Sequence, residues 1–213
     1  MIKIDKNSVA MPDSLKLPLP VHFQNGIVPR TSKTTHNRRL ELITHGSYID
    51  EKRYNERYKR PDIKKALKDL YKEKCAFCEQ RVESRHVEHY RPKKTYYWLA
   101  FSWDNLLVAC PTCNEFKGTH FAINGALANF ANTHAAVQAI HCSSAGYDAA
   151  ELPQMVNPEV TDPRGKISFS QDGRISSNDG RFAYTSKYPP AKLGALWCEP
   201  LKAVKQVANA ACQ

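Results

Sequence analysis

The sequence predicts an α+β protein. Three observations carry that expectation: two Cys-x-x-Cys pairs, two strand-like runs held between them, and an amphipathic helix directly upstream. Together they describe a zinc-pinned strand–loop–strand–helix core over residues 75–121. An arm and basic helices over residues 1–74 come before it, and a small C-terminal lobe over residues 122–213 comes after.

The first 29 residues hold four prolines and little periodicity, so an irregular or extended arm is expected. Residues 31–60 are polar, basic and helical in part. The stretch "PDIKKALKDLYKEK" is clearer: Pro61 suits a first helical turn, and Ile63, Leu67, Leu70 and Tyr71 recur along one face. The formal charge is +10, and residues 30–74 hold 14 Lys and Arg against 7 Asp and Glu. A basic segment beside a candidate site is the electrostatic footprint of a polyanion such as nucleic acid, although a charge run is often only a solvated helix face.

The start, "MIKIDKNSVA", lacks the apolar stretch of a secretory signal, and no run is long enough to span a bilayer. A cytoplasmic protein with no membrane partner is therefore expected. Seven cysteines in such a chain argue against a disulfide framework. Four of them, Cys75 and Cys78 in "CAFC" and Cys110 and Cys113 in "CPTC", offer the four thiolates of a structural zinc site. The 31 residues between Cys78 and Cys110 must form a compact insert that the zinc clamps at both ends. Cys142, Cys198 and Cys212 lack partner spacing and read as ordinary thiols.

Inside the insert, "RVESRHVEHY" reads as a strand that Pro92 stops, and "SWDNLLVAC" as a second strand leading into the second pair. "PTCNEFKG" continues as a short helix ending at Gly118. Glu88 and His89 are either a carboxylate and an imidazole that hold a metal ion and activate a water, with Arg91, Lys93 and Lys94 following as an anion clamp, or part of an ordinary charged strand end. In a regular strand, neighbouring side chains point to opposite faces, so Glu88 and His89 converge only if regular pleating ends there. The aromatic cluster Tyr96, Tyr97, Trp98, Phe101 and Trp103 reads as packing. Downstream, residues 122–141 are Ala-rich with a helical pattern after Gly125, "KISFS" and "RISS" read as a hairpin through Gln171-Asp172-Gly173, and the chain end shows no pattern.

"VEHYRPK" followed by "WDNLLVACPTCNEFKG" resembles the zinc-containing HNH endonucleases, whose core is a ββα-metal fold. More widely, "CAFCEQR", "HVEHYRPKK", "WLAFSWDNLLVAC", "CNEFKGTHF" and "VNPEVTDP" resemble the HNH nuclease subunit of Septu-type and retron-associated antiphage systems. That resemblance runs to about residue 175; the family's leucine-rich helical end is not matched.

The resemblance implies a DNA-cutting hydrolase that works with an ATPase subunit. It implies His89 as general base, Glu88 and Asn114 as ligands of a catalytic Mg²⁺ or Mn²⁺, and Asn105 as the residue that fixes the loop and orients His89. Lys117 would contact a phosphate, and Arg91, Lys93 and Lys94 would meet the DNA backbone. The competing reading is a zinc-stabilised nucleic-acid-binding or scaffold protein without catalysis.

Overall fold

Helix α1 (Thr35–His45) begins where its sequence can cap it. Thr34 Oγ1 accepts from Asn37 N–H (3.1 Å), and Asn37 Oδ1 accepts from Thr34 N–H (3.0 Å), which satisfies donors at both ends of the first turn. It stops at Gly46, whose φ of 75° suits a residue without a side chain. The structure is a computed structural model that describes residues 3–17, 34–169 and 175–187. After α1 comes the single turn α2 (Lys52–Asn55), then α3 (Pro61–Leu70). In α3, Pro61 occupies the first turn, and Ile63, Leu67, Leu70 and the following Tyr71 are buried along one face. The Asp62 carboxylate accepts from both Ser14 N–H and Ser14 Oγ (2.9 Å each), tying the N-terminal arm to the start of α3. That arm carries two short 3₁₀ turns, Lys6–Ser8 and Asp13–Leu15.

The core follows in the expected order. Strand β1 (His86–His89) pairs antiparallel with β2 (Leu106–Ala109) in the register His86↔Ala109 to His89↔Leu106. Helix α4 (Pro111–Lys117) packs on this hairpin, and α3 packs against β2. Every residue of β2 is buried, as expected of a strand covered on both faces. Ala76 N–H donates to Val108 O (2.8 Å) and so joins the first cysteine pair to β2. Lys6 reaches the same strand, donating to Leu106 O (2.6 Å) and Glu159 Oε1 (2.7 Å). One hydrophobic cluster runs from Leu15 through α3 and the hairpin to Met155. The result is an α+β fold with an HNH-like hairpin and helix at its centre. Among the described residues no helix is long and apolar enough to cross a membrane.

Beyond the core the chain departs from one expectation. The Ala-rich stretch after Gly125 is helical only at α5 (His134–Gln138). Residues 124–126 instead donate their backbone N–H groups to the carbonyls of Ala150, Glu151 and Leu152, next to the short helix α6 (Asp148–Glu151). A Cβ on Gly125 would lie 2.0 Å from Ala150 O. This close backbone approach overrides the helical propensity of the alanines, and only glycine permits it. Strands β3 (Ser168–Phe169) and β4 (Ile175–Ser176) pair antiparallel as the expected hairpin, whose turn lies outside the described residues, and α7 (Gly180–Lys187) follows.

Arg39, on α1, is fully buried with no carboxylate against it among the described residues. Phe101 O accepts from its guanidinium (2.9 Å), and His36 and His141 lie at 3.3 and 3.4 Å. Burial and then the Arg39 charge push His36 down to about 4 and His141 down to about 3. Both are therefore neutral in the folded protein, while each would titrate near 6.5 once unfolded. Stability from these groups is complete above pH 6.5 and is lost as pH falls below it. Between pH 7.5 and 5.5, His141 alone is expected to cost about 1.4 kcal/mol. Urea midpoints at the two pH values check this: His141→Gln should shrink the difference, and an unchanged difference would show the histidine was not responsible.

Candidate active site and zinc centre

The sulfurs of Cys75, Cys78, Cys110 and Cys113 all lie within 4.8 Å of one another, with Cys78 and Cys110 at 3.8 Å. Four sulfurs at about 2.3 Å from a tetrahedral zinc ion stand roughly 3.8 Å apart, so the cluster fits that ion. Local chain geometry builds it. Glu79, at a φ of 59°, closes the first turn, and its N–H donates to Cys75 O (3.0 Å). In the second pair, Cys113 N–H donates to Cys110 Sγ (3.3 Å), which also caps α4. Hydrogen bonding among the crowded sulfurs pulls the Cys110 thiol far down and drives Cys113 far up. A divalent cation is what would let all four be thiolates together.

His89 ends β1 and is 5% exposed. Its Nε2 lies 2.9 Å from Ala100 O. A carbonyl only accepts, so Nε2 carries the proton and Nδ1 keeps the free lone pair. Burial first, then the charges of Lys93, Lys117 and Lys59, push His89 down to about 3 against the opposing pull of the Ala100 carbonyl. The ring is thus a neutral base at pH 7. Tyr58 meets the ring in a T-shaped contact, with ring centroids 4.6 Å apart.

Glu88 turns the other way, toward α4. Its Oε1 accepts from Lys117 Nζ (2.7 Å), which also donates to His89 O (2.6 Å). Burial raises the Glu88 carboxyl, and Lys117 opposes the rise. One helical turn earlier, Asn114 Nδ2 donates to His86 Nδ1 (3.1 Å). His86 and Glu88 share a strand face, and Asn114 and Lys117 share a helix face, so the two contacts are rungs of one β1/α4 seam. The ladder stays regular through His89↔Leu106, and Tyr90 N–H adds a bond to Asn105 O (2.9 Å). Pleating therefore does not end at Glu88. The carboxylate and the imidazole occupy opposite faces at the strand end, and the Lys93 charge acts on both.

Asn105 joins the two sides of the loop. Its Oδ1 accepts from Arg91 N–H (2.8 Å), and its Nδ2 donates to Arg91 O (3.1 Å) and Leu99 O (3.2 Å). Asn105 thereby anchors Leu99, the residue immediately before the Ala100 whose carbonyl holds His89.

Three expected contacts with nucleic acid need correction. Arg91 is 0% exposed: its guanidinium donates to Glu151 (2.9 Å), Ser144 (2.7 Å) and Asp148, inside a cage of Tyr90, Tyr96, Phe121 and Tyr147. It cannot clamp a DNA backbone from there. Lys93 is half-buried, donating to Asn55 Oδ1 (2.7 Å) and Tyr58 Oη (2.8 Å) between the rings of Tyr48 and Tyr58. Lys117 is 1% exposed and is spent on Glu88 and His89 O rather than turned outward to a phosphate. Of the expected clamp only Lys94 is exposed. Tyr58 and Asn55, which no sequence motif marks, complete the surroundings of His89 and Lys93. Tyr96, Trp98, Phe101 and Trp103 are buried packing.

Residues 75–120, which carry the hairpin, its following helix and the four-cysteine centre, match the HNH endonuclease family. The chain is also similar to Septu protein PtuB. It is 30% identical to that of Bacillus mycoides (strain KBAB4) over 142 residues, which cover 59% of this chain and 44% of the relative. To Septu protein PtuB of Bacillus thuringiensis it is 48% identical over 65 residues, covering 29% and 25%. The matches thus span less than half the length of these curated relatives. No solved structure matches the chain.

Proposed function

We propose that the chain is a metal-dependent endonuclease that hydrolyses DNA, the nuclease of a Septu-type antiphage system, acting with an ATPase subunit. The observation that carries this reading is His89: a neutral imidazole with Nε2 tied to Ala100 O and Nδ1 free, set in an HNH domain among three lysines. Nδ1 takes the proton of the attacking water, and the fixed Nε2–H stabilises the imidazolium that forms. Asn105 acts through the 99–105 loop to hold that carbonyl in place. Glu88 and Asn114, on the strand face opposite His89, offer two hard oxygen donors that suit Mg²⁺ or Mn²⁺ at the strand end, with the remaining positions left to water. Such an ion, when bound, supplies charge to the phosphoryl oxygens and the leaving alkoxide. Lys117, held on Glu88 and His89 O, fixes the carboxylate in place rather than meeting the phosphate.

The test is plasmid cleavage by the purified protein in Mg²⁺, Mn²⁺ or EDTA, with and without the ATPase. Cutting that requires a divalent ion, and that Glu88→Gln shifts to higher ion concentration, is the expected result. Binding of DNA without cutting under every ion and partner condition would overturn the reading in favour of a scaffold. Full activity without the ATPase would overturn the partnership alone.

A further inference from the structure

With Arg91, Lys93 and Lys117 turned inward, the backbone of a nucleic acid must be met elsewhere. A cavity of about 420 Å³ lies between α3 and the approach to β1, lined by Lys64, Lys65 and Lys68 on one side and Ser84, Arg85 and His86 on the other. Leu67, Val87 and Val108 also line it, and Glu83 is its one acid. We propose that this groove is the track for the sugar–phosphate backbone of a nucleic-acid strand entering the HNH site, a proposal that rests on the nuclease reading above.

Three observations point to an anionic strand. The first is an excess of cations: Lys65 pairs with Asp69 (2.7 Å), but Glu73 alone answers Lys68 (3.1 Å), Arg81 and Arg85 (3.4 Å), and Lys64 has no ion pair among the described residues. The second is an orphan donor. Arg85 Nε is buried without a hydrogen-bond partner, a cost of the kind a phosphate oxygen would relieve. The third is continuity. His86, at the end of the groove, is bonded to Asn114 on the seam that carries Glu88 and Lys117. A backbone lying along the lysines of α3 would therefore run onto the candidate metal ligands. Apolar side chains among the cations suit the sugars of such a strand, which a small inorganic anion would not need.

The experiment measures binding of a fluorescent duplex oligonucleotide to the full chain by anisotropy over a range of salt. Two fourfold variants are compared: Lys64→Ala/Lys65→Ala/Lys68→Ala/Arg85→Ala, and a control with equal charge loss elsewhere, Lys16→Ala/Lys52→Ala/Arg164→Ala/Lys166→Ala. Zinc content and circular dichroism verify that both fold. The groove variant should bind at least about tenfold more weakly and lose about three from its log–log salt slope, with the control within about twofold of wild type. Equal losses in both variants, no loss in the groove variant, or no binding by wild type would overturn the groove. Plasmid cleavage by wild type is read in parallel. Cutting with an unaffected groove variant sinks the groove alone, and groove-dependent binding without cutting sinks the nuclease reading alone.

Discussion

Cys75, Cys78, Cys110 and Cys113 are expected to hold one structural zinc ion, and its removal is expected to unfold the protein. The four sulfurs join the turn at 75–78 to the end of β2 and the start of α4, and they sit inside the main hydrophobic cluster. Structural zinc binding is worth about 10–16 kcal/mol in small domains, which matches or exceeds the whole stability of a typical fold. One zinc per chain is expected on release by a mercurial reagent, and near-ultraviolet circular dichroism should collapse with a strong chelator. Cys113→Ser should act in the same direction by removing a ligand and leaving three crowded thiols. A chelated protein with an unchanged urea midpoint would show that the cluster is only a group of buried thiols.

Arg91→Met is the second large effect, expected to destabilise the fold by roughly 3–5 kcal/mol. Methionine fills much of the same space but leaves Glu151 facing an empty guanidinium site, and Glu151 is 0% exposed. Glu151 also accepts from Ala128 N–H (3.0 Å), so its displacement would loosen the 124–128 stretch with it. Arg91→Lys should recover little, because one ammonium on a flexible stem cannot reach Glu151, Ser144 and Asp148 together. Glu151→Gln in the Arg91→Met background should return part of the loss by removing the unpaired charge. Urea unfolding of the three variants measures this, and a loss below about 1 kcal/mol for Arg91→Met would contradict the network's role.

Much of the core was legible because its signals are local. Two Cys-x-x-Cys spacings, the apolar face of Ile63, Leu67 and Leu70, and two short runs flanking Pro92 each state their structure within a few residues. Arg91 could not be read that way. Its partners Ser144, Asp148 and Glu151 lie 53, 57 and 60 residues downstream, while its neighbours Lys93 and Lys94 make it look like part of a basic clamp. Lys93 is hidden for the same reason, its partners Asn55 and Tyr58 coming from the turn before α3. The alanines after Gly125 carry helix propensity, but Ala150 O takes the Ala126 N–H and the Glu151 carboxylate takes the Ala128 N–H first. Residue order likewise could not say whether the pleat ends at Glu88. That depends on the Tyr90–Asn105 bond, which needs β2 already in place.

The role proposed for His89 is to remove the proton of the attacking water. Single-turnover cleavage of a DNA substrate by wild type and His89→Ala, at saturating Mg²⁺ or Mn²⁺ and in the presence of the ATPase, tests it most directly. The account predicts a loss of about 10²–10⁴-fold in the cleavage rate, with zinc content and DNA affinity unchanged. A rate for His89→Ala within a few-fold of wild type would contradict it and move the base to another residue.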